Sequence, residues 1–456
     1  MRAAGQEASV PGRVFSRVLT RPLPVAVRAE GAEIWDASGR RYLDGAGGAV
    51  VVNVGHGRVS VARAMADQAS KIAYAHGAAF TSEALEAYAA EIGPLLPMHD
   101  PAIYPVSGGS EAIETALKMA RAYHASRGEP DRRVVIGRWG SYHGNTLGAL
   151  DLSGRRPLRR PYEDWLGRFS HVSAAYPYRA GDPEAHAVGT AGEAAAELNR
   201  AISTAGPDSV CAFVAEPIVG ATLGVVAPPP GYWPAIADVC RRYGVLLVAD
   251  EVMTGFGRTG RWFAMEHFGV TPDLLVAAKG ATSGYWPFGF VAAGHDVYDA
   301  IRRGGAFVHG FTYSHSVVGA AVAREVLRLL QSESLVAASA SKGALLLDEL
   351  RAAFQDHPHA GDVRGEGLMV AVEIVADPVT RAPFARSKQI TERVLAAARE
   401  AGLLLYSGTG MANGVDGDMV MAGPPFVTTD AQLNEIANGM RAAVDAATTA
   451  GRQASA

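Results

Sequence analysis

The sequence predicts an α/β fold in which a mostly parallel sheet is covered by helices on both faces, with a smaller α+β unit following it. Three observations lead there. From about residue 100 to 290, short apolar runs alternate with helix-like stretches, as in successive βαβ units. The runs are apolar throughout instead of alternating with polar residues, so both sheet faces are expected to be covered. After residue 315 the pattern changes to long amphipathic stretches.

The expected strands are AIYPVS (102–107), RVVIGR (133–138), SVCAFVAEP (209–217), VLLVAD (245–250), LLVAAK (274–279) and GFVAAG (289–294). Helices are expected at SEAIETALKMARAYHASR (110–127) and GYWPAIADVCRRYG (231–244). Upstream, EIWD and SGRRYLD read as a hairpin able to join the smaller unit. Downstream, VVGAAVAREVLRLLQSESLV and ASASKGALLLDELRAAF read as two helices. VRGEGLMVAVEIV and GLLLYS then form a strand pair around the helix ITERVLAAAREAG. A last helix opens at Thr429 with Gln432 three positions on, a capping-box pattern. The expected division is 1–60 joining the small domain, 61–315 as the large domain, and 316–456 as the small domain with its connecting helix. The first ten residues and the terminal ATTAGRQASA are expected to be loose.

At 456 residues, 48% hydrophobic and 19% charged, the chain can bury a substantial core. A net charge of −4 argues against a nucleic-acid surface, which needs clustered basic excess. No apolar run reaches membrane-spanning length, and the N-terminus lacks a signal-peptide core. Cys211 and Cys240 lie in apolar segments without metal-ligand spacing, as buried thiols of a reducing cytosol do. A cytoplasmic protein acting on small molecules, with no metal, is expected.

Lysine is scarce here. Lys71, Lys118, Lys279, Lys342 and Lys388 are the five among 42 basic residues. Lys279 ends one apolar run and Asp250 ends another, so both belong at the carboxyl edge of the sheet, where ligands bind in such folds. A charged group after a wholly apolar run needs a partner. Lysine, unlike arginine, can lose its proton and form an imine. The turn Ser107-Gly108-Gly109-Ser110 follows a strand and opens a helix, a junction that favours phosphate. Together these specify a phosphorylated aldehyde: phosphate at Gly109 and Ser110, aldehyde on Lys279, and a ring nitrogen facing Asp250. Pyridoxal 5'-phosphate meets all three demands, and a carboxylate beside its ring nitrogen makes the ring a better electron sink.

SGGSEAIETALKMAR (107–121), SYHGNT (141–146), AEPIVG (215–220), ADEVMTGFGRTG (249–260), AAKG (277–280), HGFTYS (309–314), VRGEGL (363–368) and GPPFVT (423–428) stand in order and spacing similar to the class III, fold-type I pyridoxal-phosphate aminotransferases. The chain resembles their omega-amino acid and amine:pyruvate branch from about residue 25 to 445. The resemblance implies a large domain with a mostly parallel seven-stranded sheet and a smaller domain from both chain ends. It implies covalent attachment of the cofactor at Lys279, Asp250 on the pyridinium, Tyr142 stacked on one ring face and Val252 behind the other. Gly109 and Ser110 would bind phosphate, with Thr312 supplied by the neighbouring subunit of a homodimer; a tetramer stays open. His143 is expected at the cofactor as a hydrogen-bonded histidine rather than a base. Glu216 belongs to the same hydrogen-bond network or is structural.

The implied activity is ping-pong transfer of an amino group from a primary amine or omega-amino compound to a 2-oxo acid, with pyruvate favoured. An aminomutase or decarboxylase of the same fold is the alternative. Departures from the glutamate-using branches bear on the acceptor. Met421 stands where they carry an arginine, Ala221 where they carry glutamate, and Met253 where they often carry glutamine. No arginine occurs in YSGTGMANGVDGDMV (406–420), leaving Arg258 and backbone N–H groups as candidate carboxylate donors. Arg155, Arg156, Arg159 and Arg160 read as a solvated loop, with attraction of an anionic substrate as the minor alternative. Val50 is expected to widen an apolar pocket, while Phe311 and Ser316 replace histidines.

Overall fold

A computed structural model describes residues 13–19 and 21–449. The loose tail expected over the first ten residues lies outside them. Between residues 100 and 290 the apolar runs pair into one seven-stranded sheet. Its spatial order is Ala102–Val106, Gly289–Ala293, Leu274–Ala277, Leu246–Asp250, Val210–Ala215, Val134–Arg138 and Ser170–Val172. Gly289–Ala293 alone runs against the rest. Six of these strands are legible as apolar runs. Ser170–Val172 is too short and too polar to stand out, and only its Val172 is buried.

Both faces are covered, as the unbroken apolar strands require. Leu246 and Val248 pack on one side with Ala112, Ile113 and Ala116 of the helix Gly109–Ser126. Leu247 and Ala249 pack on the other with Trp233 and Ile236 of the helix Tyr232–Tyr243. The period of two along the strand thus feeds two separate cores, each buried leucine contributing about 1.5–3 kcal/mol. Gly244, at φ +62°, ends the second helix in a left-handed turn and returns the chain directly into Leu246–Asp250.

The upstream hairpin is present as Glu33–Asp36 and Arg41–Asp44. Its turn is held by the Asp36 carboxylate, which accepts from the Ser38 and Arg40 N–H groups. Leu403–Leu404 pairs in parallel with Leu43–Asp44, tying the two chain ends into one four-stranded sheet. Downstream, the helices run Val317–Ser332 and Leu335–Phe354. VRGEGLMVAVEIV is not one strand but lies within a hairpin, Ala360–Gly365 with Val370–Ile374, which turns through Gly367 at φ +54°. GLLLYS is likewise divided. Its first half joins the N-terminal sheet, and Tyr406–Thr409 pairs with Asp418–Ala422. The Thr429–Gln432 capping box forms as expected and opens Asp430–Thr449. That helix absorbs the first residues of ATTAGRQASA: Ala447 is buried and the Thr448 hydroxyl donates to the Val444 carbonyl. The rest of that tail lies outside the described residues. Among the described residues no helix is long and apolar enough to cross a membrane.

Candidate active site

Parallel register sets the two key side chains next to each other. Asp250 ends its strand opposite Val276 of the neighbouring strand, and Lys279 follows three residues later. Lys279 adopts φ +43°, a left-handed conformation uncommon for a residue with a Cβ. Both line a cavity of about 400 Å³ beyond the carboxyl ends of the strands. Part of Lys279 faces that cavity. Burial nevertheless pulls its ammonium pKa down to about 8, against the attraction of Asp250 and Glu216.

Eight of the nine residues expected at the site line this cavity: Gly109, Ser110, Tyr142, His143, Glu216, Asp250, Val252 and Lys279. Asp250 is buried, with one carboxylate oxygen 2.7 Å from Nδ1 of His143 and the other accepting from the Val252 N–H at 3.0 Å. His143 is a hydrogen-bonded partner of Asp250, and its Nε2 is buried without a partner. Glu216 accepts from the Tyr142 N–H at 2.9 Å and from the Gly220 N–H at 3.2 Å. Burial raises the Glu216 pKa, and burial likewise raises that of the Tyr142 phenol. Thr312 is exposed and does not line the cavity.

The strand-to-helix turn has the features of an anion seat. Gly108 caps the helix Gly109–Ser126 without any side-chain acceptor, so its first N–H groups are left for a ligand. The fit there is close on both sides. A Cβ on Gly109 would stand 3.1 Å from Val252, and one on Gly144 would stand 2.4 Å from the Ser110 hydroxyl oxygen. A turn suited to phosphate, an imine-forming amine at Lys279 and an acid at Asp250 are the three features that pyridoxal phosphate needs, and all line one cavity. Among the described residues no cluster could hold a metal ion.

Several cavity residues escaped the sequence reading, and two expectations need correction. Val51, not Val50, lines the cavity. Val50 is turned into the core at φ +56°, behind the kink at Gly47 and Gly48 that the Asp44 carboxylate fastens through the Gly48 N–H. Arg258 does not line the cavity and so is no carboxylate donor there. It is fully buried and donates to the Leu368 and Pro424 carbonyls and to Asn53. Ala221 and Met253 do line the cavity, whereas Met421 is in the core beneath it. Trp286 and Phe288 close one wall, and the Trp286 indole donates to Ser316, whose hydroxyl also caps the helix Val317–Ser332. That cap gives Ser316 a structural role.

The sequence model of the class-III aminotransferase family matches residues 15–444. The chain is 35% identical over 423 residues to the putrescine–pyruvate aminotransferase of Pseudomonas aeruginosa, covering 92% of this chain and 90% of that one. Among solved structures, an (S)-enantioselective omega-transaminase from Thermomicrobium roseum superposes with a TM-score of 0.86 at 38% identity, over 93% of each chain. The omega transaminase of Pseudomonas jessenii, solved in complex with PMP, superposes with a TM-score of 0.86 at 32% identity, over 94% of this chain and 93% of that one. The chain therefore belongs to the class III aminotransferases, and it is a pyridoxal-phosphate-dependent transaminase of the fold-type I architecture.

Proposed function

We propose that this transaminase moves an amino group from a primary amine or omega-amino compound to a 2-oxo acid, pyruvate first among them, in two alternating half-reactions. One observation carries the donor assignment. The cavity that holds Lys279 is lined in part by Val51, Ala221, Met253, Trp286 and Phe288, and no guanidinium lines it among the described residues. A donor with an apolar body and no carboxylate beside its amine suits such a wall. The P. aeruginosa relative acts on putrescine and pyruvate, which supports the same pairing.

When bound, pyridoxal phosphate supplies the electron sink for the carbon that loses its proton. The chain's own residues do the rest. Lys279 would hold the cofactor and, once released, move the proton, a task suited to an amine with a pKa near 8. Asp250 would keep the ring nitrogen protonated, and His143 fixes the Asp250 carboxylate by its hydrogen bond. Tyr142 and Val252 would enclose the ring, and Glu216 holds the backbone of Tyr142 in place. Gly109 and Ser110 take the phosphate.

Thr312 belongs, in this reading, to the site of a second copy. Its exposure, and that of Val308 and Tyr313 beside it, supports a homodimer with shared sites. The parallel pairing of Leu403–Leu404 with Leu43–Asp44 supports the assignment of residues 1–60 and 316–456 to one small domain around the large domain of 61–315. The two free, buried cysteines suit a cytoplasmic setting.

The test is a panel of amines and omega-amino acids assayed with pyruvate and with 2-oxoglutarate. Turnover of apolar amines with pyruvate is expected. Strict dependence on glutamate and 2-oxoglutarate would overturn the acceptor assignment, and release of carbon dioxide would favour a decarboxylase.

A further inference from the structure

The turn that carries Lys279 is bounded by two residues in the left-handed region, Lys279 itself at φ +43° and Ser283 at φ +53°. Residues with a Cβ keep that conformation only where their surroundings hold it. The strand before the turn stops at Ala277, and the turn is closed by short-range bonds, the Ala281 N–H to the Ala278 carbonyl at 2.9 Å and the Thr282 N–H to the Lys279 carbonyl at 3.2 Å. Support from outside comes at Gly280. A Cβ there would stand 2.6 Å from Nδ2 of Asn53 and 2.9 Å from the Phe256 Cβ, so the peptide after the lysine is pressed against the Asn53 amide. At the far end of the turn the next residue of that segment acts again: the Val54 N–H donates to the Ser283 hydroxyl at 3.0 Å.

Asn53 is 1% exposed, and its polar groups are all engaged. Nδ2 donates to the Phe256 carbonyl at 3.0 Å, and Oδ1 accepts from the Arg258 guanidinium at 2.8 Å. Its backbone carbonyl accepts from the Phe426 N–H at 2.8 Å, and its N–H donates to the carbonyl of Val51, a cavity residue, at 3.0 Å. A carboxylate of the same shape could accept from Arg258 but could not donate to Phe256.

Arg258 fixes the amide from the other side. It is anchored to the hairpin turn through the Leu368 carbonyl and to the loop at Pro424, and its guanidinium lies 4.6 Å from the Phe426 ring centre. Neither Asn53 nor Arg258 lines the cavity, so both can act on the chemistry only through the residues they hold. The Arg258 charge also reaches Lys279: after burial it is the second influence that disfavours the ammonium, against the attraction of Asp250 and Glu216.

We propose that Asn53, itself fixed by Arg258, is a positioning residue for Lys279, its amide bracing Gly280 so that the lysine keeps its left-handed backbone and its place in the cavity. This rests on the reading of Lys279 as the reacting amine. The brace accounts together for the glycine after the lysine, an amide in the core and a buried guanidinium bonded to carbonyls and that amide.

Asn53→Ala should lower kcat about 10- to 100-fold with little change in KM for the amine, as for a reacting group misplaced by up to about 1 Å. Pyridoxamine phosphate needs no bond to the lysine, so its Kd reports on the rest of the site and should be unchanged. In the cofactor-free variant, competitive acylation read by peptide mass spectrometry should show the Lys279 pKa rising from about 8 toward 10.5 as the amine gains water. Asn53→Asp keeps the shape and the bond from Arg258 but adds a charge. It should recover most of the lost kcat on the alkaline plateau, with the pH–rate profile moved to higher pH because a carboxylate favours the ammonium. An unchanged kcat, an unchanged Lys279 pKa, or a pyridoxamine phosphate Kd that rises as much as kcat falls would each overturn the brace. Were Asn53→Ala not to fold, Asn53→Asp decides alone, and an unshifted profile refutes it. Lys279→Ala tests the reading beneath: retained turnover would remove the role of Lys279, and the acylation pKa would still judge whether Asn53 holds it.

Discussion

Lys279 carries a stability cost that can be measured apart from catalysis. Burial lowers its pKa from 10.5 to about 8, so the fold disfavours the charged amine. At about 1.4 kcal/mol per pH unit, that displacement amounts to roughly 3 kcal/mol. The sign follows from proton binding. Below about pH 8 the amine is protonated in both folded and unfolded chains, and the full cost is present. Between about 8 and 10.5 the unfolded chain holds a proton that the folded chain has lost, so stability rises with pH. Above 10.5 both forms are neutral and the cost is gone. Lys279→Met keeps the methylene body and removes the amine. Cofactor-free Lys279→Met should therefore be more stable than the cofactor-free parent by up to about 3 kcal/mol at pH 7, and the gap should close as pH approaches 10.5. Paired urea titrations at pH 7, 8, 9 and 10 measure it, and groups that do not interact with the Lys279 amine cancel in the difference. A gap that does not vary with pH would refute the argument that desolvation readies this amine to react near neutrality.

Three further outcomes check the rest of the site. Asp250→Asn should retain the cofactor but slow turnover by about 100-fold or more, because the group stabilising developing charge is lost; steady-state kinetics on cofactor-saturated variant measures it, and an unaltered rate removes the electron-sink role. Ser110→Ala should weaken cofactor retention about 10-fold, as for one hydrogen bond to an ionised group, and Thr312→Ala should do the same only while the protein is dimeric, read from cofactor release on dilution. Val51→Trp should raise KM for bulky aryl amines while sparing small ones, whereas Val50→Trp, at a core position beside Gly423, should lower the melting temperature. If Val50→Trp instead changed donor choice with an unchanged melting temperature, the placement of these two valines would be wrong.

The parts of the site on or next to regular elements were legible in the sequence. Asp250 and Lys279 close apolar runs, and such runs are strands whose ends are fixed by register. Gly109 and Ser110 follow from a strand, a glycine turn and a helix in sequence. The wall of the cavity was not legible, because residues from separate loops converge there and no periodicity announces them. Val51 depends on a left-handed turn at Gly47, Gly48 and Val50, a one-residue change of facing that no hydrophobic pattern reports. Trp286 and Phe288 sit in a segment that looks like an ordinary connection. The small-domain strands were misdivided for a similar reason: VRGEGLMVAVEIV is apolar enough for one strand, and only Gly367 at φ +54° marks the turn.

This division has a physical basis that bears on how donor choice can vary on a fixed chemistry. Asp250 and Lys279 are placed by strands that each feed a core on either face of the sheet, so a shift of either strand would disturb two cores at once. Leu246–Asp250 shares one core with Leu274–Ala277 and packs its other face against Trp233 and Ile236, whereas Leu275 and Ala277 pack into the core that holds Phe256 and Phe290. The wall residues Val51, Ala221, Trp286 and Phe288 come from connections whose own anchors lie elsewhere: Asp44 on Gly48, Glu216 on Gly220, and Ser316 on Trp286. Replacing a wall side chain leaves those anchors intact, because each holds backbone or a neighbouring residue and not the wall side chain itself; Trp286 is the exception. Donor size is therefore free to change at Val51 and Ala221 without loosening the lysine. At Trp286 any change also takes a hydrogen bond from the cap of Val317–Ser332, coupling pocket shape to the stability of that helix.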